Sequence, residues 1–284
     1  MSKGTLLGLF AETPLHPGAG QSADVIDLPV AREGATGLPQ IPDTGLKGAL
    51  RQWAEGESGL DAKKLFGESD SGAGQLMIAS ARLLCLPVRR LDGAYAWVTT
   101  PYLLERLRRD SARCGCDLTV PDLRPADGDL PELLINGPAD KTIFLEEFSF
   151  KTVAMEDADA ISLKAAISPL LGTDDVTKAR ILSQLAVMSN TEFAWYAANA
   201  LPVNARNKLD DNKMSENLWY EEVIPPDALF FSVILPRNAG VRGDCDTFID
   251  RLLNNKYLQI GGNETVGQGW VQLARHGGGA PDVA

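Results

Sequence analysis

Two residues near the start of the chain are of types that could do chemistry, a histidine and an aspartate. His16 sits in a Pro/Gly turn, His16-Pro17-Gly18-Ala19-Gly20, and Asp27 stands between Ile26 and Leu28, just before Pro29. An imidazole takes and gives protons near neutral pH. A carboxylate of ordinary acidity is ionised there and is a weak base, so holding a metal or positioning a substrate suits it better. Thr44, Lys47 and Arg51 follow at the start of a helical pattern in which Leu46, Leu50 and Trp53 recur. A helix start presents free N–H groups and the positive end of the peptide dipoles, a seat for phosphate, and Lys47 and Arg51 share a face beside it. Gly45 and Gly48 would let a ligand backbone come close. The same residues also make an ordinary amphipathic helix with Asp43 or Thr44 as its cap and a solvated Lys–Arg edge.

A second motif lies near the far end, Gly261-Gly262-Asn263-Glu264-Thr265-Val266-Gly267-Gln268-Gly269-Trp270. Four glycines in nine residues between two strand patterns predict a loop of bare N–H groups, a concavity suited to phosphates or a nucleic-acid backbone. It lacks the Lys-Ser/Thr of a nucleotide P-loop and opens no helix, so nucleotide binding is not expected. A glycine-rich hairpin turn is the alternative.

The elements that must hold these residues alternate without a regular β-α repeat. Thr5–Thr13 predicts a strand, Thr44–Glu57 and Leu60–Phe66 helices, Gln75–Val88 one or two strands, and Ala94–Thr99 another strand. Thr100-Pro101 starts a helix whose arginines at 106, 108, 109 and 113 would spread over its exposed face. The stretch from about 115 to 140 is rich in Pro, Asp and Gly and reads as a loop insertion. Lys141–Val153 predicts one strand, Asp174–Val187 a helix, and Ser189–Ala197 a strand. From about 201 to 222, polar arms flank Asp210-Asp211-Asn212-Lys213, which is hairpin chemistry; such arms bury little, so this hairpin should project. Ala228–Leu235, Lys256–Ile260 and Trp270–Arg275 read as strands and Asp246–Asn255 as a helix, and the tail 277–284 as disordered. Apolar strands at both ends of the chain suit an α+β protein with helices on a largely antiparallel sheet; ferredoxin-like (RRM-like) sheets are one such solution, and they commonly bind single-stranded RNA.

With 284 residues, 44% of them hydrophobic and 23% charged, the chain is long enough for one large domain with a substantial core. It has no run of eighteen apolar residues, and the start reads as a strand and not a leader. Its four cysteines lack the partners for a zinc site, which fits reduced thiols in the cytoplasm. A net charge of −11 argues against a generic nucleic-acid binder, but the charge is segregated. Arg82–Arg113 holds seven arginines against Asp92, Glu105 and Asp110, a net of +4; Cys116–Ala160 holds eleven acids against Arg124, Lys141 and Lys151, a net of −8.

Taken together, several of these segments resemble one family. His16-Pro17-Gly18, Val25-Ile26-Asp27 with Pro29 and Arg32-Glu33, Ile41-Pro42 with Leu46-Lys47-Gly48, and Leu65-Phe66-Gly67 come first. Ala96-Trp97-Val98-Thr99 with Pro101, Leu218-Trp219-Tyr220-Glu221-Glu222 and the closing glycine loop follow in order. The chain is similar to the repeated backbone subunit of type III-B CRISPR effector complexes, within the RAMP superfamily. The glycine loop is shared across that superfamily, whereas the HPG…ID-x-P segment and the AWVT strand point to this subunit. The resemblance implies a single RAMP domain over 1–276 with a ferredoxin-like core and insertions. Copies would stack along a guide RNA beside other subunits and cut complementary target RNA at regular intervals, with the hairpin as a thumb that splays the duplex. The family's catalytic aspartate falls on Asp27; Asp24 does not match. Asp27 would hold a divalent metal, with Mg²⁺ the expected ion, or orient the target's 2′-hydroxyl. His16 would be a second acid/base group or a turn residue touching RNA, and Glu221 and Glu222 either reach the cut or are structural. Thr44, Lys47, Arg51, Gly261, Gly262, Thr265, Gly267, Gln268 and Gly269 would hold RNA backbone without reading sequence. Two other readings remain: a structural RNA scaffold that does not cut, and a guide-RNA processing enzyme working through His16.

Overall fold

The computed structural model describes residues 4–22, 25–68, 72–116 and 118–276. Asp24 and the tail 277–284 lie outside them. The protein is α+β, built on a twelve-stranded mixed sheet. From one edge its order is Tyr257–Gln259, Trp270–His276, Thr5–Ala11, Leu229–Pro236, Ala81–Arg89, Tyr95–Thr99, Leu185–Val187, Glu132–Ile135, Phe148–Ala154 and Thr142–Leu145. Gln40–Ile41 and Leu76–Ile78 add short pairings to Ala81–Arg89 and Leu229–Pro236. The first strand lies between Leu229–Pro236 and the last strand, antiparallel to both, which buries it on every side and explains its run of apolar residues. The expectation of an antiparallel sheet holds for that half. Leu185–Val187 runs parallel to Tyr95–Thr99, and Phe148–Ala154 parallel to Glu132–Ile135, so the sheet as a whole is mixed.

Several local expectations are corrected. The loop insertion contains a strand, Glu132–Ile135, whose Leu133 and Leu134 are buried in the sheet. Lys141–Val153 is two antiparallel strands, because the chain reverses at Glu146, with φ 48°, and Glu147. Asp157–Ile167, unassigned from the sequence, is a helix. Ser189–Ala197 holds no strand: Ser189 accepts a bond from the Glu192 N–H and caps the helix Asn190–Asn199, which buries Phe193, Tyr196 and Ala197. The spacing of those three residues is helical, and Ser189 with Glu192 three positions on is the sequence signal for its start. The helix Asp43–Gly56 is preceded by Pro42, and neither Asp43 nor Thr44 caps it. Ser80 Oγ, from elsewhere in the chain, accepts the Asp43 N–H at 3.2 Å.

Candidate functional site

The hairpin forms where its turn chemistry placed it, Val203–Leu209 against Ser215–Glu222, as a two-stranded sheet of its own. In a strand, every second residue turns its backbone N–H and C=O to the same edge, and those groups must find partners. One arm pairs across the hairpin, which leaves the outer edge of Ser215–Glu222 open at Tyr220 and Glu222. The loop carrying His16 and Asp27 closes that edge. Asp27 Oδ2 accepts the Tyr220 N–H at 2.8 Å, and the Leu28 N–H donates to the Tyr220 carbonyl at 3.0 Å. The Glu222 N–H donates to the Leu28 carbonyl at 3.0 Å, and the Glu222 carbonyl accepts from His16 Nδ1 at 2.8 Å. Two residues of extended chain cover roughly 7 Å, so the strand itself spaces the carboxylate from the imidazole.

That bond also decides the imidazole's tautomer. A carbonyl oxygen only accepts, so Nδ1 carries the proton, and the neutral ring keeps its lone pair at Nε2. A side chain on Gly18 would come to 3.0 Å from Nε2, so the glycine keeps that nitrogen clear. His16 is buried, at 8% exposure. Asp27 is half-buried, and no other hydrogen bond to its carboxylate occurs among the described residues.

The consecutive glutamates Glu221 and Glu222, both buried, point to opposite faces of the hairpin. Glu222 accepts the Val30 N–H at 3.0 Å and an Arg32 N–H at 2.7 Å, while Arg32 also donates to the Ala197 carbonyl at 2.6 Å. Glu221 turns the other way, to the glycine loop: Asn263 Nδ2 donates to its Oε1, and His16 Nδ1 lies 3.9 Å from the same oxygen. Arg206, from the first arm, sits 3.4 Å from its other oxygen.

The glycine loop is more occupied than a loop of bare amides. Gly262 N–H donates to the His16 carbonyl at 2.9 Å and Gly269 N–H to the Pro14 carbonyl at 2.9 Å, while Gly267 and Gln268 bond within the loop. Its glycines serve conformation and close approach. Gly261, Gly267 and Gly269 have φ of 94°, 82° and 90°, and a Cβ on Gly261 would lie 2.6 Å from the His16 carbonyl oxygen. The Asn263, Glu264 and Thr265 N–H groups have no acceptor among the described residues.

His16, Asp27, Gly261, Gly262, Gln268 and Gly269 are thus gathered around the hairpin root, with Thr265 on the rim of the loop. Thr44, Lys47 and Arg51 are not part of that cluster. Lys47 and Arg51 line a separate open groove of about 490 Å³ with Gly67, Gly74 and Arg237. Arg51 is engaged there with Glu55 at 2.8 Å and the Gly67 carbonyl at 3.1 Å, whereas Lys47 and Thr44 are exposed. Gly45 and Gly48 have open space where a side chain would stand.

Arg32, Arg206 and Asn263 carry no site signal in the sequence, since their partners, 15 to 190 positions away, stand beside them only once Glu222, Glu221 and the loop are folded together. Arg106 was expected on an exposed face, yet its side chain is 4% exposed and paired with Glu33. Burial would raise the Glu33 carboxyl, but hydrogen bonds from Arg106 and Thr36 outweigh it and hold the group below its ordinary range.

The described residues contain no group of three His, Cys, Asp or Glu side chains able to hold a metal ion. What Asp27 offers is one carboxylate with an oxygen to spare, a donor set that fits a Mg²⁺ ion sharing its remaining ligands with RNA phosphates and water, and not a protein-only cage.

This fold and site define a class: the chain belongs to the RAMP superfamily, whose pattern matches residues 10–272. Within it, the chain is 33% identical over 286 residues to the CRISPR system Cmr endoribonuclease Cmr4 of Pyrococcus furiosus, covering 95% of each chain. It is 27% identical to the CRISPR system CMR subunit Cmr4 of Saccharolobus solfataricus, over 93% of each. The crystal structure of oligomeric Cmr4 from Pyrococcus furiosus superposes with a TM-score of 0.77 at 29% identity, covering 97% of this chain and 99% of that one. A chain in the cryo-EM structure of the type III-B Cmr-beta complex bound to cognate target RNA shares the fold, with a TM-score of 0.73 at 24% identity and coverage of 96% and 97%.

Proposed function

We propose that this chain is the repeated backbone subunit of a type III-B CRISPR effector complex, which lies along a guide RNA and cuts the complementary target RNA at regular intervals. The observation that carries this is the seating of Asp27 and His16 on alternate backbone groups of one strand edge, Tyr220 and Glu222, in a chain collinear with an endoribonuclease relative. The reaction such a pair supports is attack of a target 2′-hydroxyl on the adjacent phosphate. Asp27 orients the hydroxyl, and the Nε2 lone pair of His16 accepts its proton. Asp27 would hold a Mg²⁺ ion together with the RNA's own phosphates, and the chemistry the ion would supply is charge neutralisation at the cut.

The core acts as a ferredoxin-like platform, and the hairpin serves as the thumb that parts guide from target beside the cut. Its turn residues Asp210–Met214 are exposed, whereas its root is pinned by Asp27, His16 and Arg32. Thr44, Lys47, Arg51 and the glycine loop hold RNA backbone, and base pairing supplies the sequence specificity. Copies of the chain stack with other subunits in the cytoplasm; among the described residues no helix is long and apolar enough to cross a membrane.

The test is an assembled complex given labelled target RNA, with and without chelator. Evenly spaced fragments should appear, fall on the order of 10²–10⁴-fold in Asp27→Ala with target binding intact, and weaken when the metal is removed. Full cleavage by Asp27→Ala would overturn the assignment. Binding without any cutting would leave a structural scaffold, and metal-independent processing of the guide lost in His16→Ala would make the chain a guide-RNA processing enzyme.

A further inference from the structure

Of the two arginines at the hairpin root, Arg206 takes no part in the reaction proposed for Asp27 and His16. Arg206 lies on the first arm opposite Trp219, and residues opposed across an antiparallel pair share a face with the neighbours two positions along. Its guanidinium therefore projects on the same side as Glu221, towards Asn263 and His16. Its side chain is 28% exposed, but Nε and Nη2 are sealed from solvent and make no hydrogen bond among the described residues. The Nε–Glu221 approach of 3.4 Å is an ion pair without the alignment of a hydrogen bond, and the other Glu221 oxygen is taken by Asn263. Arg32, on the opposite face of the same root, has its donors satisfied by Gly37, Ala197 and Glu222. Buried donors without acceptors are rare and costly, so a guanidinium held this way is short of an acceptor that arrives from outside. A planar fork of N–H donors matches the two non-bridging oxygens of a phosphodiester, and the site beside it is where that anion is expected.

We infer that Arg206 is a catalytic residue that grips the scissile phosphate of the target RNA and stabilises the charge that builds there during cleavage. The inference rests on the endoribonuclease reading. In the step, the 2′-oxygen–phosphorus bond forms as the 2′-hydroxyl proton passes to His16. The phosphorus–5′-oxygen bond breaks, and the departing oxygen takes a proton from water, leaving a cyclic phosphate and a 5′-hydroxyl. The phosphate gains a negative charge as its oxygens move towards the five-coordinate state, and preformed donors at those oxygens act on the barrier more than on binding. Glu221 holds the guanidinium in place by charge at Nε, and the part-exposed side chain leaves the Nη donors to turn to the substrate.

The experiment compares assembled complexes carrying wild-type, Arg206→Ala or Arg206→Lys chains with the same guide and a labelled target. Single-turnover cleavage should fall about 10²-fold or more in Arg206→Ala, with target affinity within twofold of wild type, and added guanidinium ion should restore part of the rate. Arg206→Lys keeps the charge opposite Glu221, and with it any anchoring of the hairpin, yet loses the fork; it should still cut at least about tenfold more slowly. If Arg206→Ala does not assemble, the Lys variant decides. Wild-type rates in either variant overturn the role of Arg206 alone, as does a loss that tracks lost target binding and ignores guanidinium. A wild-type complex that leaves the target uncut overturns the endoribonuclease reading beneath it.

Discussion

The hairpin root and the groove beside Lys47 are both rich in glycine and charge, but they are built in opposite ways. At the root, buried carboxylates meet partners from other elements: Glu222 meets Arg32, and Glu221 meets Asn263 and Arg206. Gly261 is pressed against the His16 backbone and Gly269 against the Ile260 carbonyl, where a side chain does not fit. At the groove, Lys47 is exposed and Arg51 is tied only to its own neighbourhood, and on the helix that carries them Gly45 and Gly48 have open space around them. A closed network fixes a carboxylate and an imidazole in place, which is what a chemical step requires. An open cationic face grips a polyanion along its length and needs no such precision. On the proposed function, the difference separates residues that do chemistry from residues that hold RNA.

Substitutions should expose that difference, most strongly at Glu222. Glu222→Ala leaves Arg32 and the Val30 N–H without their acceptor, and should cost about 3 kcal/mol, lowering the thermal midpoint by roughly 6–12 °C. Lys47→Ala should leave the midpoint where it is, and equal effects in the two variants would erase the distinction. Gly261→Ala must take up φ 94° and meet the His16 carbonyl. It should cost about 2 kcal/mol and slow target cleavage more than it weakens RNA binding, as measured by denaturation and single-turnover assays.

Gly48→Ala carries the opposite sign. In a helix interior with open space around it, alanine should stabilise the free protein by about 0.5–1 kcal/mol, while guide affinity falls if RNA backbone passes close by. Lys47→Ala should flatten the salt dependence of guide binding by about one unit of slope. Unchanged guide binding in both variants would remove the groove from the RNA path.

The smallest effect concerns Glu33, next to Arg32 in sequence and paired with Arg106. Its carboxyl is held low despite burial, by Arg106 and Thr36, so its contribution is present above the ordinary carboxylate range and is lost as pH falls through its lowered value. Denaturation at several acidic pH values should show wild type losing more stability than Glu33→Gln across that window. Parallel curves would show that the pair does not couple folding to pH.

Local chemistry is legible at several points. Thr100 with Pro101 starts a helix, Asp210–Lys213 turns a hairpin, and the glycines mark positive φ. Readings failed where a neighbour in space overruled the local pattern or a local signal was passed over. Glu132–Ile135 was hidden in a Pro- and Asp-rich stretch because sheet pairing supplies the order its composition lacks. The helix Asn190–Asn199 was lost to its aromatic content, although Ser189 and Glu192 announced its start. The glycine loop was read as a bare amide floor because the acceptors of its N–H groups, the Pro14 and His16 carbonyls, lie about 250 residues away in sequence.

From the chain's residues come the resemblance that points to the family, the aspartate that resemblance marks, the turn imidazole and the hairpin, since motif order and turn chemistry are properties of the chain itself. The tertiary structure decided that Tyr220 and Glu222 space Asp27 from His16, that Nδ1 carries the imidazole proton, and that Arg206 keeps donors in reserve. Each of those depends on an open strand edge or a buried atom finding its partner across some two hundred residues or more, or finding none, and no local pattern records such a meeting.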